Sequence, residues 1–336
     1  MVSWMVSETV WCPAAAGVDM GEAYARADEL LATVGLSVRD LVQVTEFRTP
    51  DAAEQAGVRP QGVTLSVVPM EGLPVPGQRV AVQYTAVGGG GSRFATAVGV
   101  VTVAGGVVYL PGITPANRSA AFAEQYRSCL RRVGEALAAV KLGLGSLVQT
   151  TDYTASATRG DYPRCGRPRA ELLGEITADG ERVFPGAAGI LVPSDDIAVR
   201  LDAVASMEPL RAVNPDWDRY DTLTYRPGVA AGNMLFMSGF AALDPHTQRA
   251  LPGDLAEQAD YTYAAIGQVL TAAGTDGSAV VRLVEYLTPA AVPAYHELEA
   301  IRRRHFPQQV ALTSVVCTGL LRPEFLIEVV PTAVLR

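Results

Sequence analysis

The sequence predicts an α+β fold in which one unit is written three times: strand, helix, strand, helix and two closing strands. Three observations predict it. Leu41-Val-Gln-Val-Thr-Glu-Phe47 reappears as Leu147-Val-Gln-Thr-Thr-Asp-Tyr153, at an offset of 106 residues that also carries Arg26 and Leu31 onto Arg132 and Leu137. Gln125, Gly134, Leu137 and Tyr153 reappear as Gln258, Gly267, Leu270 and Tyr286, at an offset of 133 with no gap. Each stretch also passes from helical spacing to β-branched runs in the same order. The copies are placed at residues 1–88, 89–212 and 213–336.

The third copy shows the elements most plainly. They are a strand at Met234–Ala241, a helix at Gln258–Ala273 ended by Gly274, and a strand at Val280–Leu287. A helix at Tyr295–His305 and a closing hairpin of Ala311–Val316 and Phe325–Val330 follow. In the second copy Leu130, Val133, Leu137 and Val140 mark the helix, and the closing runs 189–192 and 197–203 are joined by Pro193-Ser-Asp-Asp196. In the first, Val63–Val68 and Arg79–Thr85 are joined through Gly72-Leu-Pro-Val-Pro-Gly77. Thr9-Val-Trp-Cys-Pro13 stands there where the second copy has Val107-Val-Tyr-Leu-Pro111, so one strand of the opening hairpin is expected to be lost. Gly88–Ser92 reads equally as a flexible linker or a turn. Residues 208–218, with Pro209 and Pro215, form the second boundary. A sheet with helices on one face leaves the other bare. Three such units bury those faces against one another around a pseudo-threefold axis, which puts ligand clefts at the junctions.

With 49% hydrophobic and 18% charged residues, the chain suits a compact core and not a disordered polymer. A net charge of −8 with no long basic run argues against a nucleic-acid surface, and Arg302-Arg-Arg304 reads as a solvated helix face. Cys12, Cys129, Cys165 and Cys317 form no CxxC pair, and His246, His296 and His305 are scattered, so neither a metal site nor another cofactor is expected. No basic-then-apolar leader and no apolar run of about 18 residues is present, so a cytoplasmic protein without membrane contact is expected.

The third copy resembles the Rid (YjgF) family through Leu235-Phe-Met-Ser-Gly-Phe-Ala241, Gly253-Asp254, Glu257-Gln258, Leu270 to Gly274 and Leu326-Ile-Glu-Val329. The resemblance implies an assembly of three units around a central β-barrel with helices outside, and hydrolysis of enamines and imines in clefts between units. In that family an arginine on the first closing strand binds the substrate carboxylate, and a glutamate on the second helps position water. Glu328 matches the glutamate, but Thr313 stands at the arginine position, and the equivalents near Ala187 and Gly62 supply none.

Roughly residues 100–336 are also similar to the chorismatases, single chains built as an internal version of the Rid trimer that cleave an enol ether and release pyruvate. Leu321-Arg-Pro-Glu-Phe-Leu-Ile-Glu328 carries that similarity, as does Tyr162 seven residues before Arg169. It implies Glu328 as the acid, with Arg169, Tyr162, Tyr153 and Ser238 toward a small carboxylated substrate, and Leu321 where chorismatases carry a small residue or cysteine. Arg164 and Arg167 rival Arg169 for the cation, and the tyrosines read equally as core aromatics. On its strand Glu328 alternates with Ile327 and Val329, so it points into a cleft or out to solvent. A buried carboxyl would hold its proton near neutral pH and could deliver it to carbon. A Rid-like imine hydrolase and a non-catalytic binding protein remain alternatives, and a monomer or low-order homo-oligomer is expected.

Overall fold

The computed structural model describes residues 9–177 and 180–335. The expected start of the first copy and end of the third fall partly outside them. Three sheets divide the chain in order. The first holds β1 (Thr9–Trp11), β2 (Ala15–Gly17), β3 (Leu41–Arg48), β4 (Thr64–Pro69) and β5 (Val80–Val87), arranged β1-β5-β3-β4 with β2 also on β5. The second begins with β6 (Ser92–Thr96), β7 (Gly99–Ala104), β8 (Val107–Tyr109) and β9 (Leu147–Ala155). A ribbon of β10 (Glu175–Ile176) and β11 (Arg182–Val183) precedes its β12 (Gly186–Val192) and β13 (Val199–Ser206). The third holds β14 (Leu210–Val213), β15 (Gly228–Ala231), β16 (Met234–Met237), β17 (Val280–Leu287) and β18 (Ala311–Val316). The two-residue β19 (Gly319–Leu320) leaves it to pair with β12, and β20 (Ile327–Val334) returns to its centre.

The three sheets share one order. β5-β3-β4, β13-β9-β12 and β20-β17-β18 each have an antiparallel pair and then a parallel one. The closing strands are therefore no hairpin: β17 separates β18 from β20, as β3 and β9 separate their counterparts. A parallel pair needs a crossover. Pro289–Glu297 and α5 (Leu298–His305) provide it in the third sheet, Ser156–Cys165 and α3 (Gly166–Leu172) provide it in the second, and in the first the expected second helix is absent because residues 49–63 cross over in turns. The expected single helix at Tyr295–His305 is thus a 3-10 stretch that becomes α-helical at Leu298, past Pro293, which lacks the amide an α-helix would use there. The expected central barrel is not formed: among the described residues the strands make three open sheets.

Each sheet takes a helix on its outer face: α1 (Met20–Thr33), α2 (Phe122–Ala138) and α4 (Leu255–Ala272). The last begins earlier than its apolar spacing suggests. Asp254 accepts the Glu257 amide at 2.9 Å while Glu257 Oε2 accepts the Asp254 amide at 3.0 Å, a reciprocal cap. β5, β9 and β20 are buried along their whole length. Strands so covered need an apolar partner on both faces, and the second partner is the other sheets. Phe47, Tyr153 and Tyr286, one from each sheet at the repeat offsets, share a core cluster with Val68, Ile190 and Val315.

Gly88–Gly91 is a tight turn that hands the chain from β5 to β6. Gly90 takes φ +80°, and a Cβ there would meet the Arg39 carbonyl oxygen at 2.5 Å, so this turn requires glycine. No helix of the described residues is long and apolar enough to cross a membrane.

Candidate active site at the junction of the second and third sheets

The second and third sheets are sewn together by main chain. Gly239 N donates to Ala187 O at 3.0 Å, Thr318 N to Leu191 O at 3.0 Å, and β19 pairs Ile190 with Leu320. Ser238 belongs to this seam. Its hydroxyl donates to Arg226 O at 2.6 Å and accepts from Ala187 N at 2.9 Å, so it ties the sheets to each other.

Glu328 lies in the seam. It faces Tyr286 across the β20–β17 ladder and is only 7% exposed. Of the two directions left open by strand alternation, the structure takes the buried one. Oε1 accepts the Gly189 amide at 3.4 Å. A Cβ on Gly239 would run into that oxygen and stand 2.8 Å from Ala188 Cβ, so the missing side chain makes the room for the carboxyl. Gly189 opens the other wall. A Cβ there would stand 2.6 Å from Leu321 Cδ1 and 2.7 Å from Tyr162 Oη. Leu321 is held over the site by its carbonyl, to which Arg159 Nη2 donates at 2.9 Å.

Burial raises the Glu328 carboxyl to about 8, the Asp152 carboxylate adds to the rise, and the Gly189 amide opposes it. The folded chain thus keeps a proton that the unfolded chain releases near 4.5, so this group's contribution to stability is lost as pH rises from about 4.5 to about 8. Glu328→Gln is expected to be more stable than wild type above pH 8 and to lose that advantage below about pH 4.5, read as urea midpoints against pH.

Asp152 also belongs to this site, although sequence reasoning did not single it out. Its Oδ2 accepts from Tyr126 Oη at 2.9 Å and Tyr162 Oη at 3.1 Å, and among the described residues its Oδ1 has no partner. Burial raises its pKa too. Arg169 is almost fully buried beside it. Nη1 donates to Tyr126 Oη and Thr150 Oγ1, both at 2.9 Å, and Nε and Nη2 donate to Thr224 O at 3.2 and 3.1 Å. The guanidinium expected to grip a substrate is therefore engaged within the protein, 4.0 Å from Asp152.

The same arrangement stands behind each sheet. Glu46 takes Tyr24 at 2.9 Å and Arg59 at 2.7 Å, and Glu285 takes Tyr263 at 2.5 Å, Arg302 at 2.7 Å and Ser314 at 2.7 Å. The repeat offsets carried this signal: residues 46, 152 and 285 are acidic, and 169 and 302 are arginines 133 apart. Arg302 accordingly points inward, unlike the solvated face expected of it.

Tyr153 sits deeper, with its hydroxyl 2.8 Å from that of Tyr286, in a small central chamber with Asp202 and Arg282. Thr313 is buried at its position on β18, and Cys317 is buried with its thiol raised to about 12, which leaves little thiolate for a nucleophile. The structure thus brings Glu328, Tyr162 and Leu321 together around Gly189. Ser238 lies one residue from the wall, Arg169 lies behind Tyr162, and Tyr153 lies in the central chamber.

Comparison with known proteins agrees with this architecture. Residues 220–335, which hold β15 to β20 with α4 and α5, match the family described as Endoribonuclease L-PSP, as the resemblance to the Rid (YjgF) family implied. Taken over its length, the chain shares its fold with a chorismatase crystal structure: TM-score 0.56 at 12% identity, covering 88% of this chain and 93% of that one. A Mycobacterium tuberculosis member of the YjgF family is 20% identical over 38% of this chain and all of its own, with a TM-score of 0.33. Protein DfrA of Myxococcus xanthus is 43% identical over 60 residues, 18% of this chain, and the match spans about half, 46%, of that protein's length.

A Gly239→Ala substitution is expected both to displace the Glu328 carboxyl and to strain the seam, because the added Cβ would stand 2.8 Å from Ala188 Cβ beside the Gly239–Ala187 bond. Overpacking of this kind costs about 1–3 kcal/mol, so urea denaturation should show a loss of that size, and any activity that depends on the position of Glu328 should fall with it. An unchanged kcat would separate the carboxyl's position from activity.

Proposed function

We propose that the chain is an enzyme acting on a small carboxylated enol ether, with Glu328 as the acid, in the cleft between the second and third of three Rid-like repeats that pack as a pseudo-threefold unit. The observation that carries the reading is the Glu328 carboxyl, raised to about 8 between two glycines at a sheet junction. At neutral pH it holds a proton in a place where water is largely excluded. Delivered to the terminal carbon of an enol ether, that proton leaves an oxocarbenium ion beside the ether oxygen. Water adds to the cationic carbon and returns a proton to the Glu328 carboxylate, and the hemiketal collapses to an alcohol and a 2-oxo acid. Two carboxyls so placed divide the labour by environment: Glu328 moves the proton, and Asp152 orients the Tyr162 hydroxyl toward the pocket wall.

In this reading Arg169 is a positioning residue. It fixes Tyr126 and through it Asp152, instead of binding the substrate carboxylate. Leu321, packed on Gly189 beside Tyr162, limits the size of the group that enters. The fold likeness to a chorismatase supports the reaction class, and chorismate is the first substrate to offer. The test is pyruvate release from chorismate and from smaller enolpyruvyl ethers by the wild-type chain. Release from at least one, at a rate well above the buffer rate, is expected. No release from any would defeat the reading.

A further inference from the structure

The wall that Leu321 forms over the Glu328 pocket is carried by a strap, residues 318–326, which leaves β18, crosses to the second sheet as β19 and returns as β20. Its far half is tied to its own unit. Gln258 on α4 accepts the Leu326 amide at 2.8 Å and donates to Glu324 O at 2.9 Å, and Arg322 Nη1 donates to Gln248 O at 2.9 Å. Its near half lies on the second unit, where Thr318 N donates to Leu191 O and Leu320 pairs with Ile190. Leu321 follows directly, past the end of that short ladder.

There one side chain of the second unit takes hold. Arg159 Nε and Nη2 donate to Leu321 O at 3.2 and 2.9 Å, and among the described residues no other side chain of the second unit hydrogen-bonds to the strap. The reach has a local origin. Arg159 and Tyr162 stand three apart in the 3-10 stretch Ser156–Cys165, and side chains at that spacing eclipse. One face therefore offers a guanidinium to the Leu321 carbonyl and a phenol beside the Leu321 side chain, over Gly189. Arg164 and Arg167 on the same segment are taken by Asp161 and Glu171. The Arg159 charge is instead directed at a main-chain oxygen, a stronger bond than a neutral donor makes.

We propose that Arg159 is the latch that keeps Leu321 seated over Gly189 and so limits the size of the group admitted to the Glu328 pocket. It acts through Leu321 and is a positioning residue. Without it the near half of the strap keeps only a two-residue ladder and one further amide bond, and segments so weakly held open locally. The latch rests on hydrogen bonds within the chain; its effect on substrate choice rests on the enol-ether reading.

Amide hydrogen exchange across residues 318–326 of the full chain tests the latch. Arg159→Met keeps the apolar stem and removes the donors. It is expected to speed exchange at residues 318–321 by about tenfold or more, the size of a lost hydrogen bond to a charged group, while the Leu326 amide, held by Gln258, keeps its rate. Arg159→Lys, which still offers a donor, should regain part of the protection. Exchange unchanged at residues 318–321, or faster by the same factor at Leu326 and throughout the chain, would overturn the proposal. A second arm compares kcat/KM for a larger and a smaller enolpyruvyl ether. Arg159→Met should raise the larger-to-smaller ratio by about tenfold, within the range that pocket size contributes to discrimination. A ratio that stays at the wild-type value would overturn the size-limiting role. If wild type cleaves neither ether, the reaction reading falls and the exchange rates alone decide the latch.

Discussion

Glu328→Gln should abolish most of the activity, lowering kcat for enol-ether cleavage by about 10²–10⁴-fold, the range that a positioned general acid contributes. Glutamine keeps the shape of the side chain and can still meet the Gly189 amide, so the loss would report the proton and not the fold. The pH profile sharpens the test. A group that acts as an acid must be protonated, and burial sets the Glu328 carboxyl at about 8. Wild-type kcat/KM should therefore be flat toward neutral pH and fall tenfold per pH unit well above 8. A limb near the ordinary carboxyl value of 4.5, or a profile that Glu328→Gln retains, would assign the proton to another group. Pyruvate release measured from pH 5 to 10 distinguishes these outcomes.

The largest effect on stability is expected at Arg302. Its neighbours in the Arg302-Arg-Arg304 run pair at the surface: Arg303 with Glu299 at 2.5 Å and Arg304 with Asp260 at 2.9 Å. Such exposed pairs contribute little because water screens them and their side chains are costly to order. Arg302 instead reaches a Glu285 carboxylate with no exposed side-chain surface. Arg302→Leu strands that carboxylate, and breaking a buried pair from one side costs about 3–5 kcal/mol. Urea denaturation should show that loss for Arg302→Leu and no resolvable change for Arg303→Leu. Adding Glu285→Gln to Arg302→Leu should restore much of the stability, since the uncompensated charge is then gone. Equal effects at Arg302 and Arg303 would contradict the inward pairing.

The repeated motif Leu41–Phe47, Leu147–Tyr153 and Val280–Leu287 was legible because each strand is buried on both faces, and burial restricts residue type. Glu46, Asp152 and Glu285 each accept a buried tyrosine hydroxyl with an arginine beside it, so the offsets carry one arrangement three times. Arg169 carries two conflicting signals. Its spacing from Tyr162 reads as a ligand pair, yet its 133-residue offset from Arg302 reads as a structural one, and only the contacts with Tyr126, Thr150 and Thr224 decide between them. Ser238 also looked like a ligand donor until the seam to Ala187 appeared, a contact across 51 residues that no local pattern encodes.

Local chemistry, then, was enough to determine the first helix of each unit and the strand that follows it, since periodicity, caps and β-branched runs act within a few residues, but the second helix expected in every unit is absent from the first, where residues 49–63 pass from β3 to β4 in turns. Tertiary structure decided where the closing strands lie relative to β17, that the sheets stay open, and that Glu328 is buried between Gly189 and Gly239. It also decided that the strand positions facing Phe47, Tyr153 and Tyr286 are filled by Ala81, Arg200 and Glu328. The physical reason is that pairing partners and desolvation are set by segments more than 100 residues apart, and a carboxyl's proton affinity depends on what surrounds it more than on its neighbours in the chain.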